Sequence, residues 1–228
     1  MQTLKILLAA GVATFALAGA ALAEDSPTVA FNVGVASDYV FRGVSQTDEG
    51  GQVFAGADAA LGKAYAGVWL SNVDFNNGTT LEYDLYAGYK PQLGPVALDV
   101  GIIYYGYGNK PSGGDEAYWE GKIAGSVPVG KGTIGAAVFY SPEFPFKTGE
   151  ATYYELNAST PLTDKWSVSG AIGHQSVVGP SDYNTWNLGV GYALTSKIGV
   201  DLRYWDTSEH GFGSIYDSRA AISIKATF

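Results

Sequence analysis

The chain has 228 residues, of which 15% are charged and 14% aromatic, and its formal net charge is −9. Few charged and many aromatic residues indicate a folded, β-rich protein and exclude an intrinsically disordered one. The acidic composition also excludes nucleic acid as a partner, because the chain has no basic patch to neutralise phosphates.

The amino terminus has the pattern of a cleavable export signal. Lys5 precedes an apolar run over residues 6–17, and small residues lead to the A-L-A sequence at 21–23. This is the pattern of a signal peptide with an A-x-A cleavage site, and the apolar run is too short for a membrane anchor. We therefore expect residues 1–23 to be removed and residues 24–228 to form a single barrel domain.

Beyond the signal, apolar and polar residues alternate along most of the chain. Side chains point to opposite faces of a strand with period two, so each such segment has one apolar and one polar face. The last segment, Tyr216–Phe228, runs to the final residue and ends in an aromatic. The alternation predicts twelve strands, most with the length of about 9–11 residues that crosses a bilayer at a tilt; ten or fourteen strands are the alternatives. The predicted strands are 29–44, 52–61, 64–71, 80–90, 95–107, 117–127, 133–140, 152–160, 165–175, 183–194, 197–205 and 216–228.

The connections between these segments alternate between long and short. Long, polar and glycine-rich connections are predicted at 45–51, 72–79, 108–116, 141–151, 176–182 and 206–215, and short ones at 62–63, 91–94, 128–132, 161–164 and 195–196. A strict alternation places every long loop at one end and every short turn, with both termini, at the other. This is the pattern of an outer-membrane barrel, whereas a sandwich with Greek-key connections has no reason to produce it.

Aromatic residues fall at two levels of the predicted barrel. The set near the long loops is Tyr39, Phe41, Tyr104, Trp119, Tyr140, Tyr154, Trp186, Tyr204 and Tyr216. The set near the short turns is Phe31, Tyr65, Tyr89, Trp166, Tyr192 and Phe228. Two aromatic girdles are what the two lipid interfaces favour. The predicted fold class is therefore all-β, a transmembrane antiparallel up-and-down β-barrel.

In such a barrel the charged residues face the lumen, because Arg or Lys on the lipid face would cost about 2–4 kcal/mol at the midplane. Asp38 and Arg42, for example, share one face of the first predicted strand. A polar channel whose mixed charges select solutes is the expected arrangement; the alternative is a lumen plugged by ion pairs. The candidate lumen residues are Asp38, Arg42, Asp58, Glu82, Asp84, Asp99, Glu120, Lys122, Glu155, Asp201, Arg203, Asp217, Arg219 and Lys225.

Acidic residues outnumber basic ones in the predicted long loops. The acids are Asp48, Glu49, Asp74, Asp115, Glu116, Glu143, Glu150, Asp182 and Glu209, and the bases are Lys110 and Lys147. One hypothesis is an acidic vestibule that concentrates cations. The other is a solvated rim that binds divalent cations among lipopolysaccharide phosphates.

Enzymatic chemistry has little support in the sequence. A hydrolase needs a histidine within hydrogen-bond reach of a nucleophile or a carboxylate. The chain has two histidines, His174 and His210, and neither lies in a recognisable motif. With no cysteine and no histidine cluster, neither a metal site nor a cofactor is expected.

Three stretches near the amino terminus carry a family resemblance. Residues 36–47 read A-S-D-Y-V-F-R-G-V-S-Q-T, residues 52–58 read Q-V-F-A-G-A-D, and residues 65–74 read Y-A-G-V-W-L-S-N-V-D. They resemble the amino-terminal signature of the TorF-type porin family, a Gcw_chp-like group of bacterial outer-membrane barrels. The resemblance implies a pore in the outer membrane of a Gram-negative bacterium and supplies no catalytic residues. The terminal Phe228 resembles the closing residue that the barrel-assembly machinery reads.

These observations predict a passive outer-membrane channel for small hydrophilic solutes or ions, with a preference for cations. The alternative is a structural or adhesive barrel with a plugged lumen, and an outer-membrane hydrolase comes third. Expected partners are outer-membrane lipid, lipopolysaccharide, the diffusing solutes and the assembly machinery.

Overall fold

The computed structural model describes residues 26–111 and 114–228. Within them, twelve long strands form a closed antiparallel barrel, as the alternation predicts. Each strand pairs with the next along the chain, and the first also pairs with the last, Val33 lying opposite Ala226. The strands are β1 Thr28–Ala36, β2 Gln52–Leu61, β3 Ala64–Asn72, β4 Leu81–Tyr89, β5 Val96–Gly108, β6 Tyr118–Val129, β7 Gly132–Ser141, β8 Ala151–Pro161, β9 Trp166–Val177, β10 Tyr183–Ala193, β11 Ile198–Thr207 and β12 Arg219–Thr227.

Connections lie at alternate ends of the barrel because neighbouring strands are antiparallel. The longest ones that are described throughout, residues 37–51, 142–150 and 208–218, share one end, which we call the long-loop end. The two-residue turns at 62–63 and 130–131 lie at the other, the short-turn end. Helical segments in the described part of the chain are three-residue 3-10 turns, and no helix there is long and apolar enough to cross a membrane.

The outer face of the wall is apolar all the way round. Outward side chains of the strand centres are exposed, for example Leu85 at 48%, Ile172 at 60% and Leu202 at 56%. Aromatics flank this band: Trp119, Tyr140, Tyr154, Trp186 and Tyr204 are exposed near the long loops, and Phe31, Tyr89, Trp166 and Phe228 near the short turns. A contiguous apolar surface of this extent is the kind that meets lipid or a partner.

The prediction was wrong for the first strand. β1 ends at Ala36, and residues 37–51, which we call the inserted loop, fold into the lumen over their first part, while Asp48 and Glu49 stay exposed. The loop contains a hairpin in which Val40–Phe41 pairs with Val44–Ser45. At its turn Arg42 and Gly43 have φ of 49° and 86°, and positive φ at both central positions is what a two-residue type I′ turn requires.

The inserted loop corrects the predicted aromatic belt. Tyr39 and Phe41 point inward, where their rings lie 5.3 Å from Trp69 and 5.9 Å from Tyr105. Tyr65 is also inward, because its hydroxyl donates to Asp99 Oδ1 at 2.7 Å.

The last predicted strand is also too long at its start. β12 begins at Arg219, and Tyr216 belongs to a 3-10 turn, Ser214–Tyr216. The Tyr216 ring packs 5.4 Å from the buried Tyr183 ring rather than on the outer surface.

The interior is packed near the long loops and open to water near the short turns. Near the long loops Asp84, Glu120 and Gln175 are each 1% exposed. Near the short turns the inward Asp58 and Asp99 are half-buried and Lys225 is exposed. The barrel therefore contains a polar, water-accessible chamber that ends at the inserted loop.

Candidate functional site

The structure places most of the predicted lumen residues inside the barrel. Those on strands that point inward are Asp58, Glu82, Asp84, Asp99, Glu120, Lys122, Glu155, Asp201, Arg203, Arg219 and Lys225. Asp38 and Arg42 also reach the lumen, but from the inserted loop and not from a strand face, which corrects the prediction. Asp217 lies exposed on the rim just before β12, so its predicted lumen position is wrong.

Arg42 lies at the centre of the packed half and is 1% exposed. Its Nη1 donates to Glu120 Oε1 at 2.8 Å and its Nη2 to Glu120 Oε2 at 2.7 Å. Nη1 also donates to Gln175 Oε1 at 3.0 Å. Two parallel hydrogen bonds between a guanidinium and a carboxylate are the strongest and most directional form of this ion pair.

Aromatic rings enclose the same guanidinium. The Arg42 Cζ lies 4.4 Å from the Tyr153 ring centre, 4.9 Å from that of Phe139 and 4.6 Å from that of Phe41. A cation over an aromatic face is attracted by the ring quadrupole, and more strongly where water is excluded. Glu120 is on β6, Phe139 on β7, Tyr153 on β8 and Gln175 on β9, so four consecutive wall strands hold one side chain of the loop.

Further carboxylates surround the ion pair. Glu82 is 2% exposed and accepts a hydrogen bond from Tyr39 Oη at 2.7 Å. Asp84 is 1% exposed, its Oδ1 has no hydrogen-bond partner among residues 26–111 and 114–228, and it interacts electrostatically with Glu82 and Glu120. Glu120 therefore pairs with Arg42, while Glu82 and Asp84 are further buried carboxyl groups beside this pair.

The inserted loop is fixed at its ends as well as at Arg42. Asp38 Oδ1 accepts from Ser45 Oγ at 2.7 Å and from Thr47 Oγ1 at 3.0 Å, and its Oδ2 accepts from Arg219 Nη1 at 3.0 Å. At the turn, a Cβ added to Gly43 would overlap Thr185 Oγ1 on β10. The loop therefore fits the wall closely and carries glycine where the wall is nearest.

Other lumen cations also pair with acids of the wall. Lys122 Nζ lies 2.7 Å from Asp99 Oδ2, and Arg203 Nε lies 3.1 Å from Asp201 Oδ1. Glu155 accepts from Asn157 Nδ2 at 2.9 Å. Because Lys122, Arg203 and Glu155 are only 3–4% exposed, these contacts fill part of the lumen below the inserted loop.

A family model described as "Bacterial protein of unknown function (Gcw_chp)" matches residues 20–228. The chain belongs to this family. Of the curated proteins, none matches the sequence.

Solved porin structures share the fold of this Gcw_chp chain. A KdgM porin has a TM-score of 0.62 and 9% identity, over 87% of this chain and 99% of that one. A KdgM porin in complex with disordered oligogalacturonate has a TM-score of 0.60 and 10% identity, over 89% of this chain and 99% of that one. A NanC porin in a rhombohedral crystal form has a TM-score of 0.57 and 9% identity, over 88% of this chain and 98% of that one. At such identities the likeness establishes the barrel fold.

The histidines of the Gcw_chp barrel do not point into the lumen: His174 is on the outer face of β9, and His210 begins a 3-10 turn in the last long loop. His210 Nε2 is 2.8 Å from Asp206 Oδ1, and this hydrogen bond raises the pKa of His210. Asp182 lies 3.9 Å from His174 Nε2 and 3.4 Å from Ser176 Oγ. The hydroxyl thus faces the carboxylate rather than the imidazole, whereas a nucleophile needs direct contact with its base. No group of metal-binding side chains occurs among residues 26–111 and 114–228.

Sequence reasoning missed the neutral members of the Arg42 site. Phe139, Tyr153 and Gln175 carry no charge and were therefore not among the lumen candidates. Their inward positions on predicted strands were the available signal, because Phe139 and Tyr153 sit directly opposite each other on β7 and β8.

Proposed function

We propose that this chain is a porin-like channel of the outer membrane of a Gram-negative bacterium, through which small hydrophilic solutes or ions diffuse passively. The observation that carries the proposal is the polar chamber inside a closed barrel whose outer face is apolar. A polar interior within an apolar band is the arrangement of outer-membrane channels. The porin folds of the KdgM and NanC structures support it, and residues 36–47 favour the TorF-type group.

In this proposal the inserted loop sets the resting conductance. Arg42 and its ring contacts fill the lumen at the long-loop half. The channel is then mostly closed while the loop is seated and conducts when it moves. Among the described residues, seven inward acids on strands and Asp38 outnumber the inward bases, which are four on strands together with Arg42 and Lys90. This excess favours cations.

Export and assembly complete the proposal. Residues 1–23, which lie outside the described residues, act as the cleaved signal. Phe228 is exposed at the short-turn end, where the barrel-assembly machinery could read it. The long loops face lipopolysaccharide. Their acidic residues bind divalent cations together with the lipopolysaccharide phosphates.

Single-channel recording tests the channel. Refolded protein without residues 1–23 is expected to give rare, discrete openings in a planar bilayer, with a reversal potential that favours cations. Arg42→Ala removes the side chain that ties the loop to four strands, so it is expected to raise the mean conductance several-fold. Silence of both proteins, once gel mobility shows that they are folded, would refute the channel.

A charge on the outer face tests the membrane placement. Leu188 is 57% exposed at the middle of β10, so Leu188→Arg is expected to lower the free energy of unfolding in vesicles by about 2–4 kcal/mol. Leu194, 49% exposed at the short-turn end, is the matched control; Arg there reaches the interface and costs about 0–1 kcal/mol. Equal losses at the two positions would argue against a bilayer around the barrel.

A further inference from the structure

The binding groups around Arg42 belong almost entirely to the wall. Glu120, Gln175, Phe139 and Tyr153 are all on strands, and among the described residues that contact the guanidinium only Phe41 belongs to the inserted loop. The Glu120 carboxylate is itself positioned by the wall, because Tyr105 Oη donates to its Oε2 at 3.1 Å. Displacement of the loop would therefore leave these groups in place on the barrel.

We propose that this wall site binds the guanidinium group of small organic cations, and that Arg42 occupies it as a tethered substitute while the inserted loop is seated. The inference rests on the proposed channel function, of which it names the solute class. Phe41 would leave the site together with Arg42, and the remainder of the solute beyond its guanidinium group would occupy the space that Phe41 vacates.

A buried acceptor beside the site favours a solute that donates hydrogen bonds. Asp84 is 1% exposed, faces the lumen and has an Oδ1 without a hydrogen-bond partner. Its electrostatic neighbours are Glu82 and Glu120, and Arg42 is not among them, so the guanidinium of Arg42 leaves this oxygen unsatisfied. A buried acceptor without a hydrogen bond is costly, so a solute that carries additional donors gains by reaching it.

The geometry selects a guanidinium over an ammonium. Both oxygens of Glu120 accept parallel hydrogen bonds from two nitrogens of one planar group. The flat faces of Tyr153 and Phe139 lie at 4.4 Å and 4.9 Å from its central carbon. A planar fork with aromatic neighbours suits a guanidinium, whereas an ammonium is a compact, strongly hydrated point charge.

Chemical rescue of the Arg42→Ala variant tests the site by thermal stability, so it does not depend on a conductance measurement. Methylguanidinium chloride at low millimolar concentration is the probe, and urea at the same concentration is its neutral analogue. Methylguanidinium is expected to raise the melting temperature of the variant in detergent in a saturable way, and urea is not. The wild-type protein should not respond, because Arg42 already fills the site.

Matched variants make the result specific. Arg42→Ala combined with Glu120→Gln should lose the response, because the paired acceptor is gone. Lys147→Ala removes a cation from an exposed pair with Asp115 outside the lumen and should behave as wild type. If Arg42→Ala does not refold, Arg42→Gln takes its place, since it removes the charge and keeps most of the side chain. A response to methylguanidinium no larger than that to urea, or one that survives Glu120→Gln, overturns the proposal.

The conductance of the Arg42→Ala variant distinguishes a failure of the proposed guanidinium site from a failure of the proposed channel. Methylguanidinium is expected to lower the conductance of Arg42→Ala towards the wild-type level. If methylguanidinium raises the melting temperature of the variant but no current is recorded, the guanidinium site is supported and the channel is refuted. If the variant conducts but methylguanidinium changes neither its current nor its melting temperature, the channel is supported and the guanidinium site is refuted.

Discussion

Gly43→Val is expected to unseat the inserted loop and to give the largest rise in conductance of any single substitution in it. Gly43 has a φ of 86°, and a Cβ there would overlap Thr185 Oγ1 and lie 2.8 Å from Thr207 Cγ2. A β-branched residue in this backbone region costs about 1–3 kcal/mol before any clash. The wall strands cannot retreat, because they are hydrogen-bonded on both sides, so the loop has to move.

Two measurements check the displacement. Single-channel recording should show openings that are longer and more frequent than those of wild type. Trypsin should cut after Arg42, a bond that wild-type protein protects because Arg42 is 1% exposed.

Gly62→Val is the control. Gly62 also has a positive φ, 57°, but nothing lies within 4 Å of a Cβ placed there. It introduces comparable backbone strain in a short turn and should leave both conductance and cleavage unchanged. Equal effects of the two substitutions would show that strain, rather than contact with the wall, is responsible.

The sequence predicts the barrel because its wall imposes a simple rule. Each strand has one side chain towards lipid and the next towards the lumen, so period-two alternation located the strands from β2 to β11 to within a few residues. The same rule fails at residues 37–51, because the arms of a hairpin alternate too. Alternation cannot distinguish a wall strand from a hairpin inside the lumen. The signal for the hairpin was Gly43 in the two-residue turn between the short segments 40–41 and 44–45.

The site was harder to predict than the fold. Glu120 was placed on the lumen face, but its partner Arg42 is 78 positions away along the chain, and their contact depends on how the loop turns back into the barrel. A charge-based search also passes over the neutral side chains that complete the site, such as Gln175. The aromatic girdle failed at Tyr39, Phe41, Tyr65 and Tyr216 for a related reason: large rings near a rim suit a packed interior as well as a lipid interface.

Arg42→Ala is expected to lower the free energy of unfolding by about 3–5 kcal/mol. The substitution leaves Glu120, 1% exposed, without its guanidinium and close to Asp84. A buried charge that loses its partner retains the cost of leaving water and none of the attraction that offset it. Urea unfolding in lipid vesicles, followed by tryptophan fluorescence, measures the loss.

A paired replacement decides whether the loss comes from the unpaired charge or from the loop contacts in general. Arg42→Met together with Glu120→Leu removes both charges and keeps the volume, so it should recover most of the stability, because apolar substitutes for a buried ion pair are often neutral or stabilising. Lys147→Ala, in a pair whose side chains are 67% and 47% exposed, should cost about 0–1 kcal/mol. If the double variant is no more stable than Arg42→Ala, the ion pair is not what holds the loop, and the rings of Phe41 and Tyr39 hold it instead.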